Sequence, residues 1–191
     1  MNFNPDAHWR RSIRLKGYDY SSPGAYFITL CTHQRECLLG TVKDGQPRLS
    51  ETGRMVQAAW NSLPGRFSSV GLDAAVVMPN HLHGILAVTR QRAGTSPAPT
   101  LGTVVGTFKS LTTREYLARA KQENRTFQTG KLWHRNYFEH IIRDEDEMNR
   151  IREYIHQLIR RDGQRTNTIP PTPNSYVGAG LVPALVLPVC G

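Results

Sequence analysis

The stretch AAVVMPNHLHGILAV, residues 74–88, limits the fold more than any other part of the chain. Two apolar runs flank Pro79-Asn80. Short runs rich in Val, Ile and Leu predict buried strands. The Pro-Asn step predicts a tight turn, so residues 70–79 and 81–89 form two neighbouring strands. The second strand opens with His81 and His83 around Leu82. Residues i and i+2 of a strand share a face, about 6–7 Å apart along the chain. Leu82 then points into the core, and two imidazoles stand side by side on the opposite face, beside a turn open to solvent. Two such nitrogens can converge on one metal ion and leave further positions for water or substrate. The plainer alternative is a pair of histidines that only hydrogen-bond or sit half-exposed.

The remaining chain supplies partners for this hairpin. AYFITLCTHQR (25–35) has the β-branched and aromatic content of a strand. CLLGTVKDGQPRLS (37–50) carries Asp44-Gly45 between short extended runs, a hairpin signal. Ser50 predicts the cap of an amphipathic helix with Met55, Ala59, Trp60 and Leu63 on one face, ended by Pro64-Gly65. RQRAGTSPAPTLG (90–102) reads as a loop. A second helix runs from Thr103 to about Gln122, with Val104, Val105, Phe108, Leu111, Tyr116 and Leu117. LWHRNYFEHII (132–142) predicts a strand. RDEDEMNRIREYIHQLIRRDG predicts a third helix, stopped near Gly163. Its acidic start and basic end complement the helix dipole, and Met148, Ile151, Ile155 and Leu158, with Ile159, form its apolar stripe. Without the small hairpin the order is βαββαβ plus a C-terminal helix. The expected class is α+β: a ferredoxin-like (RRM-like) antiparallel sheet with helices packed on one face. The open face of such a sheet is a common nucleic-acid site.

Residues 1–23 read as a basic N-terminal arm with Trp9, Arg10, Arg11, Arg14, Lys16, Tyr18 and Tyr20, a composition suited to stacking and phosphate contact. Residues 24–163 form the expected domain. Residues 164–191 read as a Pro/Gly-rich, flexible tail outside the core. The segments AGTSPAP (93–99) and AGLVPAL (179–185) share Ala-Gly-x-x-Pro-Ala, which suggests translated copies of short inverted repeats. The nucleotide sequence of the gene decides that point.

Charge narrows the partner. Lys and Arg number 24 against 15 acidic residues, and the pI is about 9.9. Such an excess favours a polyanion through phosphate contact and counterion release. No run of about 18 apolar residues predicts a membrane span, and the start of the chain lacks an apolar signal core. Cys31, Cys37 and Cys190 lack zinc-site spacing. A cytoplasmic, reduced protein is expected.

VVMPNHLHGIL resembles the histidine–hydrophobe–histidine motif of HUH single-strand DNA nucleases. LWHRNYFEHIIRDEDEMNRIREYI resembles the second signature of the REP-associated tyrosine transposases. The two lie in the expected order, and the likeness covers about residues 15–160. It implies that His81 and His83 are metal ligands and that Tyr154 is the nucleophile. It implies cleavage of single-stranded hairpin DNA through a 5′-phosphotyrosine with a free 3′-hydroxyl. It also implies Mg2+ or Mn2+ as cofactor and action as a monomer or homodimer. Imidazole ligands themselves suit manganese better than magnesium. The family pattern places Asn four residues after the tyrosine as a third ligand, and here that position is Leu158. Gln157, at i+3, also neighbours Tyr154 on a helix and is the candidate substitute.

The chemistry fits these residue types. A tyrosine hydroxyl has a pKa near 10 and is a weak nucleophile at neutral pH. A metal beside the scissile phosphate draws off negative charge and polarises the leaving oxygen. A covalent phosphotyrosine then keeps the strand available for rejoining. Arg10, Arg11, Arg14, Lys16, Lys109, Arg135 and Arg143 are the expected DNA contacts. Tyr137 is the competing nucleophile. The rival functions are a catalytically impaired module that binds hairpin DNA or RNA, and a metal hydrolase that uses the histidines without a tyrosine.

Overall fold

The computed structural model describes residues 17–20, 22–43, 46–89, 99–122 and 130–160. Arg10, Arg11, Arg14 and Lys16 of the expected arm lie outside these residues. So do the expected tail over 164–191 and both Ala-Gly-x-x-Pro-Ala segments.

The hairpin around Pro79-Asn80 forms as the pattern predicts. Its strands, β4 (Val70–Met78) and β5 (His81–Val88), pair antiparallel with Met78 opposite His81 and Val76 opposite His83. Strand β1 (Gly24–Cys31) lies on the other side of β5, and β6 (Phe138–Ile142) lies beyond β1. The sheet order is β4-β5-β1-β6, with every neighbour antiparallel. This is the ferredoxin-like arrangement expected of βαββαβ. Between β1 and β4 the short strands β2 (Gly40–Lys43) and β3 (Gln46–Leu49) pair with each other alone.

Alternation along the strands divides the buried side chains between two faces. Tyr26, Ile28 and Leu30 of β1 and Leu82 and Leu86 of β5 join the larger core. Helices α1 (Glu51–Asn61) and α3 (Leu101–Gln122) close that face with Val56, Trp60, Val104, Val105 and Phe108. Ser50 caps α1 as expected, its hydroxyl accepting from the Gly53 amide at 3.0 Å. Pro64-Gly65 does not end the helical path outright. It falls inside a short helix, α2 (Leu63–Arg66), where Pro is tolerated in the first turn. Gly84 follows the histidine pair because Trp60 packs over the β5 backbone there. A Cβ at that position would lie 2.5 Å from the Trp60 ring.

The opposite face carries a smaller apolar cluster: Phe27, Val76, Ile85, Ile142 and Ile155. Helix α4 (Glu145–Arg160) covers it with Ile155 and the partly buried Met148, Ile151, Tyr154 and Leu158. The stripe read from the sequence is therefore the docking face. Asp144 accepts from the Glu147 amide at 2.7 Å and starts the helix.

One strand is shorter than its sequence suggests. β6 begins at Phe138, not near Leu132. Lys109 reaches across from α3 and donates to the carbonyls of His134, Arg135 and Asn136 at 2.7, 3.1 and 3.2 Å. Those carbonyls curl around an ammonium group and are turned away from a ladder. Only Trp133 bridges to Thr32, and its indole donates to Thr112 Oγ1 at 2.8 Å.

Candidate active site

The α4 side of the sheet brings His81, His83 and Tyr154 together. β5 places both imidazoles on this face, with ring centres 4.6 Å apart. α4 brings the Tyr154 ring edge-on to His83, its centre 5.6 Å from that of His83 and 6.2 Å from that of Phe27. Phe27 stacks on His83 at 5.3 Å and walls the apolar side of the site.

Both histidines are held through one nitrogen. Asn80 Oδ1 accepts from His81 Nδ1 at 2.7 Å. Thr29 Oγ1 lies 2.8 Å from His83 Nδ1. Thr29 stands directly opposite His83 in the β1–β5 register. With Nδ1 engaged, Nε2 of each ring is the nitrogen left to bind a ligand, as support of this kind ordinarily dictates. Asn80 and Thr29 are themselves buried, so these partners are fixed.

Burial also sets the protonation. It pushes His81 down to about 4, with the nearby charge of Arg35 helping. It drives His83 well below the ordinary histidine range, and His81 adds to that shift. Both rings are therefore neutral at physiological pH, the form that carries a free lone pair. Burial raises the Tyr154 hydroxyl above its ordinary value. An unaided phenolate does not form there.

A divalent cation fits this donor set in part. Two neutral, supported imidazoles supply two ligands. Among the described residues no group of three or more His, Cys, Asp or Glu side chains is placed to complete a metal cage. Gln157 is on α4, one turn beyond Tyr154, with its amide donating to Glu153 Oε1 at 3.1 Å. Leu158 packs into the apolar cluster and has no donor atom.

The other residues singled out by sequence fall in varied places. Lys109 spends its three protons on the 134–136 carbonyls. It also stands 5.7 Å from the Tyr137 ring, and burial lowers its pKa to about 8. Tyr137 packs against the larger core, away from the histidine face. Arg135 and Arg143 are exposed. Glu147 accepts from the Arg143 amide at 2.9 Å and lies 2.8 Å from His140 Nε2, tying β6 to the start of α4.

Three site features escaped the sequence reading. Asn80 precedes His81 in the turn, and that adjacency was a usable signal. Thr29 is brought in by strand register and left no local trace. The third is an ion pair that anchors α4. Arg152 donates through Nε and Nη2 to Asp73 Oδ1 and Oδ2 of β4, at 2.9 and 2.7 Å, and through Nη1 to Glu145 at 2.8 Å. It sits two residues before Tyr154 and fixes the helix along the sheet.

The family model for IS200-like transposases matches residues 65–158, which span β4, the histidine pair and Tyr154. An uncharacterized protein of Haemophilus influenzae is 39% identical over 168 residues, covering 80% of this chain and 89% of that one. Among solved structures, a REP-associated tyrosine transposase bound to a REP hairpin shares the fold at a TM-score of 0.53. It is 17% identical, over 75% of this chain and 71% of that one. Among the described residues no helix is long and apolar enough to cross a membrane.

Proposed function

Since this chain belongs to the IS200-like transposase family, we propose that it nicks and rejoins single-stranded hairpin DNA, with Tyr154 as nucleophile beside a metal held by His81 and His83. The observation that carries this reading is the edge-on contact of Tyr154 with His83, 5.6 Å between ring centres, on the sheet face that holds both imidazoles. The REP hairpin held by the solved relative supports hairpin DNA as the substrate class. The net charge of +9 suits it.

In this mechanism β5 presents two neutral nitrogens, and Asn80 and Thr29 keep them aimed. Gln157 is the proposed third ligand, released from Glu153. Mn2+ or Mg2+ bound there would withdraw charge from the scissile phosphate and polarise its leaving oxygen. α4 holds the Tyr154 oxygen on a fixed line of approach, and Phe27 keeps water from that side of the ring. The Tyr154 oxygen bonds to phosphorus as the phosphorus–O3′ bond breaks. The phenolic proton passes to solvent, and the departing 3′-oxygen takes one up as a hydroxyl. The resulting 5′-phosphotyrosine reverses by the same path when a 3′-hydroxyl attacks, so rejoining needs no outside energy source.

Leu158 favours one second reading. With an apolar residue where the family carries a ligand, the chain would grip hairpin DNA without cutting it. An assay on single-stranded hairpin oligonucleotides from the repeats flanking the gene separates the two. The proposed function predicts a covalent protein–DNA band in Mn2+ that is lost with chelator and in Tyr154→Phe. Tight binding with no band in either metal contradicts it and favours the binding module.

A further inference from the structure

The chain leaves β1 through Thr32 and a single tight turn, His33–Arg35. Two successive residues there are left-handed, Gln34 at φ 52° and Arg35 at φ 58°. Neither is glycine. Left-handed backbone crowds the Cβ of an L-residue, so such a pair persists only where its surroundings impose it.

The surroundings here are the turn that carries His81. Thr32 donates to the Asn80 carbonyl through both its amide, at 2.9 Å, and its hydroxyl, at 3.0 Å. The same hydroxyl lies 2.7 Å from the Glu36 carbonyl. The Leu39 amide donates to the Pro79 carbonyl at 2.8 Å, and the Arg35 amide to the Thr32 carbonyl at 3.1 Å. The two turns are thus laced together, and Asn80 in turn holds the His81 ring. The strained segment is a fixed wall of the histidine site.

Arg35 is exposed on that wall. Its guanidinium has no hydrogen-bond or ion-pair partner among the described residues, whereas Arg119 and Arg152 are paired with carboxylates and Lys109 with carbonyls. Its backbone amide is bonded to Thr32, which is bonded to Asn80 beside His81, and Cys31, four residues earlier, stands opposite His81 in the register. An unpaired guanidinium carried on a turn that is bonded to the histidine turn suits a phosphate anion, which it can grip through two parallel hydrogen bonds.

We propose that Arg35 binds the non-bridging oxygens of the DNA phosphate held at His81 and His83, and that its left-handed turn exists to keep the guanidinium there. This rests on the single-strand nicking function proposed above. Arg35 then offsets the negative charge that the phosphate gains as Tyr154 attacks.

Arg35→Gly is the informative variant, because glycine adopts a φ of 58° freely and preserves the turn. The probe is a labelled single-stranded hairpin oligonucleotide from the repeats flanking the gene. Its binding is measured in chelator across a salt series, and its covalent capture is measured in Mn2+. Arg35→Gly is expected to melt no lower than wild type and to reduce the salt slope of binding by about one. It is expected to slow adduct formation roughly 100-fold, with Arg35→Lys recovering part of the loss. Wild-type slope and wild-type adduct rate in Arg35→Gly overturn the proposal and leave the nicking function standing. An Arg35-dependent salt slope in a wild-type protein that never forms an adduct does the reverse: it supports the phosphate contact and contradicts nicking.

Discussion

In the proposed function His81 and His83 suit the role of ligands because each has one nitrogen already occupied. Asn80 and Thr29 fix the rings, and burial keeps them neutral. Removing such a support leaves the ligands in place but loosens their aim, which ordinarily costs 10–100-fold in metal affinity. Asn80→Ala and Thr29→Val should each weaken Mn2+ binding by roughly that factor in a calorimetric titration, with the melting temperature little changed. Unaltered affinity in both would mean that the Nδ1 contacts do not orient the rings. The histidine pair was legible in the sequence because a strand's two-residue period is local. Thr29 was not, since nothing in AYFITLC tells which residue of β5 it will face. Arg35 was illegible for a stronger reason. Its position depends on two non-glycine residues taking left-handed backbone, which local preference opposes.

At the scale of elements, α4 decides whether Tyr154 meets the histidines. Its apolar stripe was readable from helical spacing, but its destination was not. The stripe matches a sheet face built from β1, β4, β5 and β6 together. Ile155 lies at the centre of that contact and is fully buried. Ile155→Ala should cost about 2–4 kcal/mol in unfolding free energy, the ordinary range for such a truncation. The Asp73–Arg152 pair sets the helix along its length. Hydrogen bonding from Arg152 holds the Asp73 carboxyl below its ordinary 3.8. A group lowered in the native state contributes stability above its unfolded pKa and loses it as pH falls through the native value. The melting-temperature gap between wild type and Asp73→Asn should therefore be open at neutral pH and close below about pH 4. A gap that persists in acid would show that charge on Asp73 is not what secures the helix. The shortened β6 teaches a related point. YFEHII reads as strand and is strand from Phe138, yet residues 134–136, equally plausible by pattern, turn their carbonyls to a lysine 25 residues away from His134.

Across the whole molecule, the order of elements was sufficient for the fold. βαββαβ leaves few sheets to choose from, and β4-β5-β1-β6 is the ferredoxin-like one. The sequence pattern also placed the histidines away from α1 and α3, because Leu82 had to join the core. What pattern alone left open was which tyrosine joins them. The family resemblance pointed to Tyr154 over Tyr137, and in the packed molecule Tyr137 packs against the larger core under Lys109 while Tyr154 lies edge-on to His83. If Tyr154 is the residue that carries the DNA, the covalent attachment site maps to it. Wild-type protein would be trapped with a hairpin oligonucleotide in Mn2+, digested with nuclease and trypsin, and its peptides weighed. A nucleotide remnant is expected on the peptide spanning residues 153–160. A remnant on the peptide spanning 136–143, which holds Tyr137, would contradict it.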